Sequence, residues 1–382
     1  MTYKRLLQLP NQSFFLFGPR GTGKTSWVKK NIPDSLYFDL LESDLYLDFL
    51  ARPSLLEKQI PHGFNGWIII DEIQKIPKLL DEVHRLIESF EYRFILTGSS
   101  ARSLRKKGVN LLAGRALTSR MYPLTCKELG DDFALNTSLQ YGNLPSIYKK
   151  NIDRDKYLES YVQTYLREEV LQEGLTRNLG AFTRFLETAS FSQGSVLNLT
   201  EIAREAKVNR KVIENYFTII EDLLLGYRIP VFTKHAKRKI IAHPKFYFFD
   251  AGIFRILRPK GPLDIDEQIG GIALETLVFQ ELLAINSYFS LGYHLFYWRT
   301  ASQLEVDFIL YGPKGLLAIE VKRSSHFSSK DLQGLKAFKS DYPAANCYFF
   351  YGGDIKRKED EIQVIPISEA FRLLPSLLSL ES

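Results

Sequence analysis

Apolar residues fall along this chain in two rhythms. Short continuous runs at 13–17, 35–40, 66–70 and 92–96 alternate with stretches such as 78–87, where Leu, Val and Ile recur every three or four residues. Continuous runs suit strands buried on both faces of a parallel sheet, and the longer spacing gives helices with one packed side. From Asp153 the pattern turns helical through 156–170, a packing stripe. Residues 198–217 then read as two short helices around a turn, with Thr200 as N-cap of the first and Asn209 of the second. Strands are predicted at 228–232, 245–249, 295–299, 305–310 and 315–323, with an amphipathic helix at 271–283. The resulting division is 1–125, 126–240 and 241–382.

The first apolar run leads into Gly18-Pro19-Arg20-Gly21-Thr22-Gly23-Lys24-Thr25, and a helical stretch follows. This is G-x-x-x-x-G-K-[ST] between strand and helix, the pattern of a loop that wraps nucleoside triphosphate. Gly18, Gly21 and Gly23 let the backbone at Thr22 curl so that its N–H groups face a phosphate. Lys24 reaches the β- and γ-phosphates, and Thr25 offers a hydroxyl to Mg²⁺. The run at 66–70 ends in Asp71-Glu72. Asp71 is the expected partner of the Mg²⁺ shell and Glu72 the group that orients or polarises the attacking water. The strand at 92–96 ends in Thr97-Gly98-Ser99-Ser100, and Ser99 is the candidate contact to the γ-phosphate or the water. Basic residues crowd 102–107, and Arg115 is the candidate arginine finger for a neighbouring subunit's ATP.

Composition changes this picture little. The chain has 382 residues, 45% hydrophobic and 25% charged, with room for two or three domains. A net charge of +6 and a pI near 9.0 suit a polyanionic partner. Cys126 and Cys347 match no metal spacing and read as reduced thiols. No signal peptide and no uninterrupted apolar span is evident, so a cytoplasmic protein without a membrane is expected.

Two further constellations carry chemistry. The helix pair at 198–217, a strand, and the basic stretch 233–240 follow the order of a winged helix, in which Arg210, Lys211, Lys234, Lys237, Arg238 and Lys239 would neutralise DNA phosphates. The same order would also serve as a packing module. Farther on, antiparallel pairing of 305–310 with 315–323 brings Asp307 near Glu320, and alternation puts Glu320 and Lys322 on one face. Converging carboxylates suit Mg²⁺ or Mn²⁺, with Lys322 beside them and Glu275 completing the site from the preceding helix. Glu305 is assigned to the side opposite Asp307 and left out.

The loop, the Asp71-Glu72 strand end and the Thr-Gly-Ser-Ser strand together resemble the compact AAA-type ATPases that carry a C-terminal DUF4143 domain. The resemblance covers nearly the whole chain. It implies homo-oligomers, often hexameric rings, with ATP at subunit boundaries, and it makes 156–170 a helical lid in which Arg167 would read phosphates. The carboxylate set resembles the PD-(D/E)XK nucleases, and Glu275, Asp307, Glu320 and Lys322 fill that family's four roles. Val306 stands where the family's proline would. The expected fold is thus α/β: a P-loop AAA-type core, a helical lid plus winged helix, and a C-terminal α/β restriction-endonuclease-like domain. The expected function is an ATP-hydrolysing protein that moves or remodels DNA, duplex or branched, and cuts it with Mg²⁺ or Mn²⁺. The alternatives are a branch-migration motor or a regulatory switch whose C-terminal domain binds DNA or a protein without cleaving.

Overall fold

In the computed structural model, which describes residues 3–102, 104, 112–166, 178–234, 238, 243–262 and 264–379, the four N-terminal apolar runs all become strands. They are β1 (Phe14–Phe17), β2 (Leu36–Asp39), β3 (Trp67–Asp71) and β4 (Arg93–Gly98), joined by a strand the pattern did not predict, β5 (Leu117–Arg120). The sheet order is β2-β3-β4-β1-β5, and every pairing is parallel. Side chains alternate into two cores. Phe15, Ile68, Ile70 and Leu96 pack with Phe49, Leu80 and Val83, while Phe14, Leu16, Ile69 and Ile95 pack with Trp27 and Val28. Neither face is left to water, which is why these strands read as unbroken apolar runs.

The chain divides into two compact units, 1–122 with 222–225, and 123–221 with 226–382. The regions read separately as 126–240 and 241–382 therefore share one unit. Its larger sheet has the order β12-β13-β11-β10-β9-β8, built from β8 (His294–Arg299), β9 (Glu305–Gly312), β10 (Gly315–Lys322), β11 (Asn346–Tyr351), β12 (Arg357–Glu359) and β13 (Ile362–Pro366). β9 and β10 pair antiparallel, as expected, and β10, β11 and β13 run parallel. One face packs Ile309 and Ala318 against Leu335 and Phe338 of the helix Gln333–Asp341. On the other face Phe308 stacks on Phe279 of the helix Asp266–Tyr288.

That helix is longer than the predicted segment and is buried on nearly all sides rather than amphipathic. It is long and apolar enough to cross a bilayer, but 72% of its apolar window is buried within the protein.

The helix pair at 198–217 forms as Leu199–Glu205 and Arg210–Asp222. Asn209 caps the second, accepting from Val212 N–H at 2.9 Å. The first begins two residues earlier than predicted, so its cap is Asn198, accepting from Glu201 N–H at 3.3 Å, and not Thr200. β6 (Gly226–Ile229) and β7 (Lys245–Phe248) then pair antiparallel. The segment after β6 is fastened to the large sheet. Phe232 N–H donates to the Tyr297 carbonyl at 2.7 Å, and the Phe232 ring is buried in that sheet's core. Of the basic side chains expected to face DNA, Lys234 lies over the Tyr311 ring at 4.1 Å and Arg238 pairs with Asp341 at 2.7 Å. Lys237, Lys239 and Arg167 lie outside the described residues. The hairpin thus packs as a module of its unit.

Loop 141–145 is joined to the later chain through Asp250, which accepts from the N–H groups of Asn143 and Gly252 at 2.8 and 2.9 Å. Gly142 has φ +72°, and a Cβ there would lie 1.9 Å from Asp250 Oδ1, so only glycine fits. Glu281, on the long helix, accepts from Cys126 N–H at 2.6 Å, and burial pushes its carboxyl up to about 8.

Because Glu281 keeps its proton in the fold between about 4.5 and 8 and loses it in the unfolded chain, it subtracts stability as pH rises through that window. Glu281→Gln keeps the acceptor and removes the titration. Its thermal midpoint relative to wild type should therefore climb between about pH 5 and pH 8, read by a melting series across that range. A difference independent of pH would show that Glu281 is not the titrating group.

Candidate functional site

Two sites emerge, one in each unit. In the first, the loop between β1 and the helix Lys24–Asn31 turns through left-handed residues at Gly21 (φ 83°) and Gly23 (φ 93°). Gly18 is pressed against the chain after β5, where a Cβ would lie 2.4 Å from the Met121 carbonyl. Lys24 is buried, with Nζ 2.7 Å from the Gly18 carbonyl and 3.3 Å from that of Pro19. Thr22 is fully buried and donates to the same Pro19 carbonyl at 2.8 Å. Loop carbonyls that hold an ammonium can be exchanged for phosphate oxygens, which bond it more strongly.

Asp71, at the end of β3, is the hub of this site. Thr25 Oγ1 donates to its Oδ2 at 2.8 Å. Tyr37 Oη donates to the same oxygen, and Thr97 Oγ1 to Oδ1. Burial and the Asp71 carboxylate raise the Tyr37 phenol well above its ordinary range, so Tyr37 stays a donor. Glu72 sits in the left-handed region at φ 61°, ψ 43°, which is costly for a side chain of this kind. Its N–H donates to Thr97 Oγ1 at 3.3 Å, and Gln74 Nε2 donates to its carboxylate. Gly98 allows this, since a Cβ there would lie 2.6 Å from Gln74 Oε1. Ser99 follows β4 with a buried hydroxyl that has no hydrogen-bond partner among the described residues.

The donor set fits Mg²⁺ with a triphosphate: a hydroxyl and a carboxylate in contact, a buried ammonium on a glycine loop, and an unused hydroxyl at Ser99. Tyr37 and Gln74 escaped the sequence reading. The only signal for Tyr37 was a hydroxyl on an otherwise apolar strand, two residues before its acidic end. Arg115, the candidate finger, pairs with Glu88 and holds that carboxyl below its ordinary range.

The second site gathers around a lysine that the sequence reading did not select. Lys245, the first residue of β7, is 2% exposed. Its Nζ pairs with Glu305 and lies 3.4 Å from Asp307 Oδ1. Glu305 and Asp307 stand two apart on β9 and share a face, so the assignment of Glu305 to the opposite side was an error of alternation. Glu320 Oε2 accepts from Asp307 N–H at 3.3 Å, and Asp307 Oδ2 from Val321 N–H at 3.0 Å. Glu275 accepts from Tyr247 Oη at 3.2 Å. Burial, then the neighbouring Asp307 charge, pushes Glu275 up to about 8 and raises Glu320 as well. Burial also raises Asp307, against the pull of Lys245. For Lys245 itself, burial opposes the charge, but Tyr247, Asp307, Glu275 and Glu305 outweigh it and hold the ammonium protonated.

Of the four residues matched to the nuclease pattern, Glu275, Asp307 and Glu320 thus interact, whereas Lys322 extends to Asp331. Among the described residues no group of three or more His, Cys, Asp or Glu side chains is placed to hold a metal ion. With an ammonium seated among them, these carboxylates do not fit a divalent cation.

Residues 10–130 match the AAA domain family, 132–266 a domain of unknown function, DUF8612, and 270–370 another, DUF4143. The chain carries an AAA-family ATPase-like domain and a DUF4143 domain. The Asp71 hub lies in the AAA domain and most of the carboxylate cluster in the DUF4143 domain, with Lys245 reaching it from the DUF8612 match. The chain is 28% identical over 324 residues to an uncharacterized protein of Mycobacterium tuberculosis, covering 81% of this chain and 70% of the relative. It is 26% identical to one of Methanocaldococcus jannaschii (80% and 73% covered) and 22% to one of Haemophilus influenzae (80% and 78%).

Removing the buried cation leaves its carboxylates uncompensated. Lys245→Met should cost about 3–5 kcal/mol at alkaline pH. The loss should shrink in acid, where Asp307, Glu275 and Glu320 take up protons instead. Denaturant titrations at two pH values check this, and an equal loss at both would mean that only packing was disturbed.

Proposed function

We propose that this protein hydrolyses Mg²⁺·ATP in its AAA domain and uses the cycle to act on DNA, which it holds without cutting. The observation that carries the ATPase reading is Asp71, whose two oxygens gather Thr25, Tyr37 and Thr97 at the end of β3. Bound Mg²⁺ would screen the phosphate charge between Thr25 and Asp71. Lys24 would leave the Gly18 and Pro19 carbonyls for the β- and γ-phosphates. Glu72, fixed through Thr97 and Gln74, would polarise water for in-line attack, and Ser99 would contact the γ-phosphate. Arg115 would serve a neighbouring subunit's ATP in a homo-oligomer, giving up Glu88 to do so.

A charge of +6 supports an anionic polymer as the cargo. Lys245 supports holding over cutting, because it fills the cluster's need for a cation. The second reading, metal-dependent cleavage, is favoured by the meeting of Glu275, Asp307 and Glu320. It needs Lys245 to leave and Lys322 to abandon Asp331.

Lys24→Ala should abolish ATP turnover, and Glu72→Gln should still bind ATP while kcat falls at least about 100-fold. Phosphate release against ATP concentration measures both, and full turnover in Glu72→Gln would remove it from the water-activating role.

Linear, forked and four-way DNA, incubated with Mg²⁺ or Mn²⁺ and with or without ATP, should shift on native gels and stay intact on denaturing gels. Nicking that disappears in Glu320→Ala would establish the nuclease reading instead, and absence of any shift would remove DNA.

A further inference from the structure

Within the second unit a cavity of about 550 Å³ opens beside the start of the helix Asp266–Tyr288. Its charged lining is Arg255, Lys260, Arg323 and Asp266, with Asn136 and Gln140 adding neutral polar groups. Three cations thus face one carboxylate. None of the three has an ion-pair partner among the described residues, unlike Arg258, which pairs with Asp264 at 3.2 Å. Arg255 Nε is buried with no hydrogen-bond acceptor, although a guanidinium buried in a finished core is normally satisfied. Burial depresses Arg255, the Asp266 carboxylate partly offsets this, and the Arg323 charge lowers it further, so the two arginines repel with one acid between three cations.

Arg323 is placed by its backbone and by a glycine. It follows β10 directly, at the carboxyl end of the parallel strands, where ligands of α/β sheets bind. Its guanidinium lies against Gly270, where a Cβ would fall 1.7 Å from Nη1, and among the described residues its side chain makes one long hydrogen bond, 3.4 Å, to the Asp266 carbonyl. The cluster therefore carries a repulsion that Asp266, one carboxylate for three cations, relieves only in part.

We propose that this cavity binds a phosphate monoester. Its net excess of two positive charges matches a group that carries close to two negative ones near neutral pH. Arginine forks bond phosphate oxygens two at a time, and the orphaned Arg255 Nε gains the acceptor it lacks. The volume exceeds that of phosphate alone and suits a small sugar-sized body, with Asn136 and Gln140 for its hydroxyls. Such a monoester occurs on free metabolites and on the 5′ end of a nucleic acid. The site is separate from the glycine loop and does not rest on ATP hydrolysis.

The test is a calorimetric titration of the full chain carrying Lys24→Ala, so that the glycine loop does not contribute. Ribose 5-phosphate, ribose, and an oligothymidylate with a 5′-phosphate or a 5′-hydroxyl are the probes. Binding of either phosphorylated probe, and of neither control, is the expected result, and the better of the two identifies the source. Arg323→Ala and Arg255→Lys should each weaken it about tenfold or more, a change of about 1.4 kcal/mol. Asp266→Asn should tighten it, a gain that loss of a merely structural contact would not produce. The proposal falls if neither phosphorylated probe binds by about 10 mM, if both arginine variants bind as well as the parent, or if Asp266→Asn leaves affinity unchanged.

Discussion

A protonated amine buried among carboxylates is expensive to assemble and more expensive to take apart, and the second unit is arranged around one. Desolvating a lysine costs several kcal/mol before any partner is counted. Lys245 is compensated by side chains from separated stretches: Glu305 and Asp307 on β9, Tyr247 on its own strand, and Glu275 on the long helix. Withdrawing β7 would strand that charge and theirs together. The β6–β7 hairpin is therefore tied to the larger sheet through Lys245. The same constraint is seen just before the hairpin's far strand, where Phe232 is bonded to Tyr297 and Arg238 to Asp341. Of the side chains that would track a DNA backbone in a free wing, Lys234 lies over the Tyr311 ring and Arg238 pairs with Asp341, while Arg210 and Lys211 are exposed at the start of their helix.

The first unit solves a related problem with neutral donors. Asp71 is buried at the end of β3, and three hydroxyls from Thr25, Tyr37 and Thr97 surround it in place of a lysine. Hydroxyls can be turned away by an incoming cation at little cost, whereas an ammonium must be expelled with its charge. That difference separates a carboxylate that would be open to the Mg²⁺ of the proposed cycle from a cluster already neutralised. The strain at Glu72 belongs to the same design. A left-handed glutamate is kept in place by Thr97 and Gln74, which in the proposed cycle would aim its carboxylate before substrate arrives.

The AAA core was legible in the sequence because each of its signals is local. Phosphate binding needs consecutive backbone groups, so Gly18 through Thr25 stand in one stretch, and a doubly buried parallel strand writes itself as an unbroken apolar run. β5 was missed because Leu117–Arg120 is a mostly exposed edge strand with no such run. The carboxylate cluster was half legible. Antiparallel pairing of β9 and β10 follows from a short turn, and it brought Asp307 to Glu320 as alternation requires. What no local rule supplies is the reach of a long side chain. Lys322 has the right face and goes to Asp331, while Lys245, 77 positions earlier, reaches the acids through tertiary folding alone.

The basic cavity shows the same limit from the other side. Arg255, Lys260 and Arg323 form no motif in sequence, and the glycine that admits Arg323 lies on a helix, where glycine usually weakens rather than builds. A helix glycine that costs stability, beside cations that repel, is a combination folding alone does not favour. An anion that neutralises the repulsion would recover what the arrangement gives up. The second unit thus holds two opposite imbalances of charge. Among the acids of the sheet the chain supplies its own cation, and at the mouth of the long helix it supplies one carboxylate for three cations. The first is closed and structural; the second is open, and an open imbalance is where a ligand finds its free energy of binding.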